Sequence, residues 1–235
     1  MQEDESYEIF PLGDQALTVC WGNRLSDAAN REVGKGVARF NQAPFPGMRE
    51  LVPAYTSLTI YYDPLYIRQH LAPAKTAYTY VCEQVKRILN QPVQITTASS
   101  RLIRIPVCYD PQLVPDQEHL LTYTGVRTEE LIQWHTERTY RVYMMGFLPG
   151  FAYMGEVDER IRMPRKKQPV PAAAGSVGIA GIQTGIYPLA SPGGWNIIGL
   201  TPVRLFDKNR KDPCLLSAGD SVQFFPIDKY EFAHY

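Results

Sequence analysis

Residues 146–207 read GFLPGFAYMGEVDERIRMPRKKQPVPAAAGSVGIAGIQTGIYPLASPGGWNIIGLTPVRLFD and hold most of the chain's 17 glycines. Ordering such a stretch is costly, because glycine loses more backbone freedom on folding than any other residue. Short pieces rich in β-branched residues recur between the glycines and predict strands joined by tight turns in a barrel-like sheet: 177–179, 186–187, 196–198 and 203–206. We expect the turns of this barrel to carry a site.

The overall composition is that of an ordinary soluble protein. The chain has 235 residues, 45% of them hydrophobic, with 24 basic and 24 acidic side chains, which favours neither nucleic acid nor a membrane as a partner. The first ten residues, MQEDESYEIF, are acidic and lack the basic start and apolar core of a signal peptide. We therefore expect a cytoplasmic protein.

The cysteines and histidines are scattered, without the CxxC or HxxxH spacing of a metal site or a redox pair. We interpret the cysteines as small buried apolar residues and expect no bound metal. The residues concerned are Cys20, Cys82, Cys108, Cys214, His70, His119, His135 and His234.

The pattern of predicted elements divides the chain into two domains. Residues 1–96 predict a small α+β domain, with strands at 7–10, 16–20, 50–52 and 57–62. One helix is capped by Ser26 and runs to about residue 40, and a second runs from about 74 to 90. The polar segment 91–100 precedes a new strand at 102–108, so the boundary is placed near residue 97. In the second domain, 97–235, helices at 116–123 and 129–136, the latter capped by Thr128, lead into the barrel.

Two familiar catalytic motifs are imitated without their structural context. Residues 174–178 resemble a nucleophile elbow around Ser176, but the following residues do not form the helix that the elbow requires. Gly175, Gly178 and Gly181 lack the strand-to-helix setting of a dinucleotide loop, and no GxxxxGK[ST] sequence is present. A nucleotide would need an unconventional site or one on another chain.

The remaining polar and aromatic residues suit the binding of a small polar molecule. An arginine fork grips a carboxylate or phosphate, amide and hydroxyl groups both donate and accept, aromatic rings form flat walls, and glycines allow close approach. An imidazole exchanges protons near neutral pH. The candidates are Arg165, Gln183, Thr184, Ser191, Tyr153, Tyr187, Trp195, Gly193, Gly194 and His135.

Each of these candidates also has a purely structural interpretation. His135 could be a hydrogen-bonded histidine at a helix end, and Arg165 could belong to a solvated basic loop with Lys166 and Lys167. Tyr187 and Trp195 could be barrel core. The residues alone leave both interpretations open.

Several longer motifs resemble one known family. They are GFxPGFAYM at 146–154, Pro164-Arg165, AGSVGIAGxQTGIYP at 174–188 and SPGGWxIIGxTP at 191–202, with PLGDxAL at 11–17 in the N-terminal half. On these motifs, which extend over nearly the whole chain, the protein is identified as a member of the KipI / PxpB family, also called allophanate hydrolase subunit 1.

The resemblance implies an N-terminal α+β domain followed by a cyclophilin-like β-barrel. It also implies a subunit of the prokaryotic ATP-dependent 5-oxoprolinase, which opens the lactam of 5-oxo-L-proline to L-glutamate with PxpC-like and PxpA-like partners. On this hypothesis His135, Arg165, Gln183 and Thr184 are catalytic, and Tyr153, Tyr187, Ser191, Gly193 and Trp195 bind the substrate at an interface that a partner completes.

The sequence departs from the family pattern at two points, where relatives often carry a basic residue. Val170 follows Pro169, and Leu200 follows Gly199. Fewer cations weaken a phosphate site, so ATP is expected to be held by, or shared with, a partner subunit. Two alternatives stay open: an inhibitor of a sensor histidine kinase, as the name KipI implies for some relatives, and a barrel that only scaffolds a partner.

Overall fold

The computed structural model describes residues 7–92 and 101–235. The chain forms two compact units, Met1–Ala98 and Ser99–Tyr235. The predicted domain boundary near residue 97 lies outside the described residues. Among the helices of the described ranges, none has the length and apolar character needed to cross a membrane.

The first unit contains a four-stranded antiparallel sheet with the order β1-β2-β4-β3. Two long helices bury their apolar faces in a core that includes Leu17, Phe40, Leu58, Ile60 and Val81. The elements are β1 (Glu8–Pro11), β2 (Ala16–Cys20), α1 (Asp27–Gln42), β3 (Met48–Pro53), β4 (Ser57–Tyr62), the helical turn α2 (Pro64–Tyr66) continued by a π-helix (Ile67–Leu71), and α3 (Ala77–Leu89).

The second unit contains most of the strands. Its elements are β5 (Leu102–Cys108), α4 (Gln117–Thr124), α5 (Thr128–Thr136), β6 (Thr139–Met145), β7 (Ala152–Gly155), a 3-10 turn (Glu159–Ile161), β8 (Val170–Ala172), β9 (Ser176–Ala180), β10 (Gln183–Ile186), β11 (Ser191–Gly193), β12 (Asn196–Leu200), β13 (Ser221–Ile227) and α6 (Lys229–Ala233).

Seven of these strands close into a barrel. The order is β10-β7-β6-β13-β5-β12-β9, and β9 pairs back onto β10. Strands β5 and β13 run parallel along their whole length, which brings the two ends of the unit together. Alternate side chains fill the interior, among them Ile105, Val142, Val177, Ile198 and Phe224, each at most 1% exposed. The closed barrel fits the cyclophilin-like barrel that the motifs imply.

Hydrogen bonds of individual side chains fix the residue at which three of the helices begin. Ser26 caps α1 as predicted, since its hydroxyl accepts the Ala29 N–H at 3.1 Å. Helix α3 begins at Ala77 and not near residue 74, because the hydroxyl of Thr76 accepts the Thr79 N–H. The predicted Thr128 cap is wrong: α5 already includes Thr128, and the Arg127 N–H donates to the Glu130 carboxylate at 2.9 Å.

One predicted strand of the glycine-rich region is absent. Residues 203–206 form no strand, and only Phe206 makes an isolated bridge, to Cys214. Val203 and Leu205 nevertheless pack against the barrel core, with Leu205 1% exposed. Burial therefore explains the apolar residues that suggested a strand.

Candidate functional site

A cluster of five aromatic rings lies beside the barrel, separate from the barrel core. The ring of Phe151 stands at its centre, with ring centroids 4.8 Å from Tyr153, 5.3 Å from Tyr187, 5.4 Å from Trp195 and 5.6 Å from Phe147. The contacts are edge-to-face, the arrangement that the charge distribution of aromatic rings favours. We call Phe147, Phe151, Tyr153, Tyr187 and Trp195 the aromatic cluster.

Glycines give the aromatic cluster its position against the barrel wall. Side chains of successive strand residues point to opposite faces, so Gly185 faces outward where Thr184 faces inward. A Cβ atom at Gly185 would lie 3.0 Å from the Trp195 ring, and one at Gly193 would overlap the Tyr187 hydroxyl. Gly193 thus makes room for a neighbouring ring. The sequence predicted that Gly193 lets a ligand approach the backbone, but in the structure the Tyr187 ring fills this space.

Arg165 lies at the edge of the aromatic cluster with its side chain exposed. It packs against Gly194, where a Cβ atom would lie 2.7 Å from the arginine Nε. Its positive charge acts on the hydroxyl groups of Tyr153 and Tyr187 and opposes the rise of their pKa values that burial causes. Arg165 makes no ion pair with any residue in 7–92 or 101–235.

The backbone on both sides of Arg165 is fixed by hydrogen bonds. The Asn196 amide donates to the Pro164 carbonyl at 3.0 Å, and the Lys166 N–H donates to the Gly194 carbonyl at 2.8 Å. The segment 164–166 is therefore tied to the segment 194–196. This attachment holds the arginine beside the rings while leaving its guanidinium exposed.

Asp116 strengthens the same attachment and was missed by sequence reasoning. One of its carboxylate oxygens accepts the Lys166 ammonium at 2.5 Å and the Ile197 N–H at 2.8 Å. Asp116 directly precedes α4, so the sequence suggests a helix cap, yet its side chain makes no cap hydrogen bond. Nothing in the linear sequence indicates that a residue 50 positions away is its partner.

His135 and Thr184 lie in a hydrogen-bonded chain inside the barrel. Thr184 donates its hydroxyl proton to the Gly178 carbonyl at 3.1 Å, so it accepts at 3.0 Å from Nε2 of His135. Nδ1 of His135 is then the acceptor for the Tyr109 hydroxyl, 2.7 Å away. Both ring nitrogens are satisfied when the imidazole is neutral.

Burial keeps this histidine neutral. His135 is fully buried and stacks on Phe224 with ring centroids 4.6 Å apart. Removal from water disfavours the imidazolium ion and lowers the pKa of His135 from 6.5 to about 3. The geometry corresponds to the hydrogen-bonded histidine that the sequence left as an alternative.

The structure brings together some predicted site residues and separates others. Arg165, Tyr153, Tyr187, Gly193 and Trp195 meet at the aromatic cluster. His135 and Thr184 lie in the barrel interior, and Gln183 precedes Thr184 and so faces outward. The Ser191 hydroxyl donates to the neighbouring Pro192 carbonyl at 3.2 Å. The predicted roles of all nine residues stay predictions.

The arrangement suits a carboxylate better than a triphosphate. Lys166 is neutralised by Asp116, whereas Arg165 and Lys167 of this loop have no ion-pair partner in the described part of the chain. A metal site is not evident either: no group of three or more His, Cys, Asp or Glu residues within 7–92 and 101–235 could hold an ion. Among the residues described, the loop therefore offers two unpaired cations, fewer positive charges than a triphosphate carries negative ones.

Comparison with known proteins places the chain in a class. The family described as carboxyltransferase domain, subdomain C and D, matches residues 7–216. A protein of Bacillus subtilis (strain 168) named as a subunit of 5-oxoprolinase is 40% identical over 231 residues, which cover 97% of this chain and 96% of that protein. The chain belongs to this carboxyltransferase family and, within it, to the KipI / PxpB family that the motifs indicated.

The fold of this chain also matches that of solved structures. The crystal structure of TTHA0988 superimposes with a TM-score of 0.76 at 34% identity, over 91% of this chain and 40% of that chain. This chain thus spans about two fifths of that protein's length. The urea amidolyase of K. lactis gives a TM-score of 0.74 at 16% identity, over 99% of this chain and 16% of that one, which shows the shared fold alone.

We predict that His135 makes the stability of the protein depend on pH between 6.5 and 5. Because the pKa is lower in the folded state, the unfolded chain binds a proton that the folded chain does not, and stability falls as pH falls. The slope from this group approaches about 1.4 kcal/mol per pH unit. Urea unfolding of the wild type and of His135→Gln at pH 6.5 and 5 measures it; equal slopes would contradict the neutral, buried histidine.

We also predict that Gly193→Ala lowers the free energy of unfolding by about 2 kcal/mol or more, since the new methyl group displaces a buried tyrosine. Gly34→Ala is the matched control: it lies in α1 with no atom within 4 Å of the new Cβ, and should gain about 0.5–1 kcal/mol. Urea unfolding of both variants compares them. A Gly193→Ala protein as stable as the wild type would show that Tyr187 is not fixed.

Proposed function

We propose that this chain is a subunit of a 5-oxoprolinase that opens the lactam of 5-oxo-L-proline to L-glutamate at the expense of ATP. The Bacillus subtilis relative of nearly equal length, itself named as a 5-oxoprolinase subunit, supports the proposal. The site supports it through one observation: an exposed Arg165 without an ion-pair partner among the described residues is held beside tyrosine hydroxyls and aromatic rings.

The substrate's chemistry matches this edge of the barrel. 5-Oxoproline carries one carboxylate on a small, mostly apolar ring. The guanidinium of Arg165 binds the carboxylate with two parallel hydrogen bonds, and Phe147, whose side chain is exposed, offers a flat contact for the ring. Asp116 and Asn196 fix the backbone that carries Arg165, so the orientation of the substrate is set before the reaction.

The reaction needs groups beyond those of this site. An unstrained lactam resists hydrolysis, and phosphorylation of its oxygen creates a leaving group. A general base must reach the attacking water, but His135 is buried and neutral inside the barrel. We therefore assign the base to a partner subunit and assign substrate orientation to this chain, which is inactive alone.

ATP is a substrate of the proposed reaction, and its phosphates are better suited to another chain of the complex. Three phosphates require several donors or a metal ion, while the loop 164–169 offers two unpaired cations within the described structure, Arg165 and Lys167. We propose PxpC-like and PxpA-like chains as the partners and the cytoplasm as the location. We further propose that the first unit belongs to the α+β class. Inhibition of a sensor histidine kinase, the alternative function, stays a prediction.

Reconstitution with the two partner subunits tests the function. ATP-dependent release of glutamate from 5-oxoproline should require all three chains. In the complex, Arg165→Ala should lower kcat/KM for 5-oxoproline about 10- to 100-fold, because a charge-assisted contact to the carboxylate contributes about 1.5–3 kcal/mol. Arg165→Lys should recover part of the loss.

Lys167→Ala is the matched control, since it removes a nearby exposed cation and should leave the kinetics unchanged. Full activity in a mixture without this chain would refute the proposed function. Unchanged kinetics of Arg165→Ala in an active complex would refute only the role of the arginine.

A further inference from the structure

A cavity of about 480 Å³ lies in the first unit, and part of its wall is the PLGDxAL motif at residues 11–17. The turn between β1 and β2, the end of β4 and the start of α3 form its walls. Its volume is within the range of sites for small molecules. The polar groups that line it are Asp14, Tyr62, Arg68, Lys75, Thr76 and Tyr78.

Tyr62 points to a ligand. The residue is 2% exposed and lines the cavity, yet its hydroxyl has no hydrogen-bond partner among residues 7–92 and 101–235. A hydroxyl group that borders a cavity and has no protein partner is free to form a hydrogen bond with a bound molecule. Burial, with smaller contributions from Cys82 and Asp14, raises the pKa of Tyr62, so the group stays protonated and able to donate.

The start of helix α3 adds backbone donors to the same cavity. The Thr76 hydroxyl accepts the Thr79 N–H, and the Thr76 carbonyl accepts the Tyr80 N–H. The N–H groups of Ala77 and Tyr78, the first two residues of the helix, have no backbone acceptor in the described part of the chain. A negative group is stabilised at such a helix end.

Two charged side chains at the cavity face the solvent without a partner. Arg68 and Asp14 are both exposed and make no ion pair within the described ranges. Lys75, the other cation of the cavity wall, is neutralised by Glu83 at 2.6 Å. The cavity therefore offers one free positive and one free negative group.

We propose that this cavity binds a free amino acid. Arg68, the Tyr62 hydroxyl and the first N–H groups of α3 hold the carboxylate, and Asp14 holds the amino group. The cavity lies within the first unit, whereas Arg165 belongs to the second, so this site is separate from the one proposed for the lactam.

Calorimetric titration of the full chain tests the proposal. The protein carries Arg165→Ala, so that the second unit does not contribute, and is titrated with glycine, L-leucine, L-glutamate and L-lysine. At least one should bind saturably. Arg68→Gln should weaken that binding about tenfold and Tyr62→Phe about fivefold, as expected for the loss of a charged and a neutral hydrogen bond.

Three controls make the result decisive. Tyr62→Phe should leave the thermal midpoint unchanged, because the hydroxyl has no partner in the free protein among the residues described. Arg87→Gln, which removes an equal charge from the last turn of α3, should not change the affinity. The matching acid without its amino group should bind about tenfold more weakly, and Asp14→Asn should remove that difference.

The proposal fails if none of the four amino acids binds saturably, or if Arg68→Gln and Arg87→Gln behave alike. It also fails if inorganic phosphate or the acid without an amino group binds as tightly as the amino acid, since the cavity would then be a general anion site. Because no partner subunit and no lactam is used, these outcomes are independent of 5-oxoprolinase activity.

Discussion

The close contact between glycine backbone and aromatic rings is the constraint on which the candidate site depends. Trp195 lies over Gly185 and Tyr187 lies under Gly193, so that a Cβ atom would crowd the first ring and overlap the hydroxyl of the second. Trp195 directly follows Gly194, so fixing its ring also fixes Gly194, whose carbonyl accepts the Lys166 N–H of the Arg165 loop. The entropy lost in ordering these glycines is offset by burial of large rings.

The same barrel wall separates two kinds of chemistry. On its inner side, His135 and Thr184 satisfy one another's hydrogen bonds, and burial keeps the imidazole neutral. On its outer side, Arg165 keeps an exposed charge that the described residues do not neutralise. The alternation of side chains along β10 produces this division, because residues 183 and 185 face away from the interior that Thr184 occupies. In the proposed function, orientation of the substrate belongs to the outer side and rigidity to the inner side.

The sequence predicted much of the fold for identifiable reasons. Ser26 signals the start of α1, and glycines between β-branched residues signal the barrel strands. Helix starts were harder to predict, because Thr76, Thr128 and Asp116 all belong to residue types that cap helices. Only Thr76 accepts the capping hydrogen bond. Residues 203–206 have the apolar character of a strand but are buried without one.

The sequence by itself determined the family, the barrel and the residue types available for binding, because these depend on motifs and on local patterns of glycine and apolar residues. Only the tertiary structure decided which of those residues meet. It places His135 in the barrel interior and pairs Asp116 with Lys166 in the loop of Arg165. Likewise, the hydroxyl of Tyr62 faces a cavity without a partner among the described residues. Such pairings join positions far apart in the chain, and they are set by how strands and helices pack rather than by the neighbours of each residue.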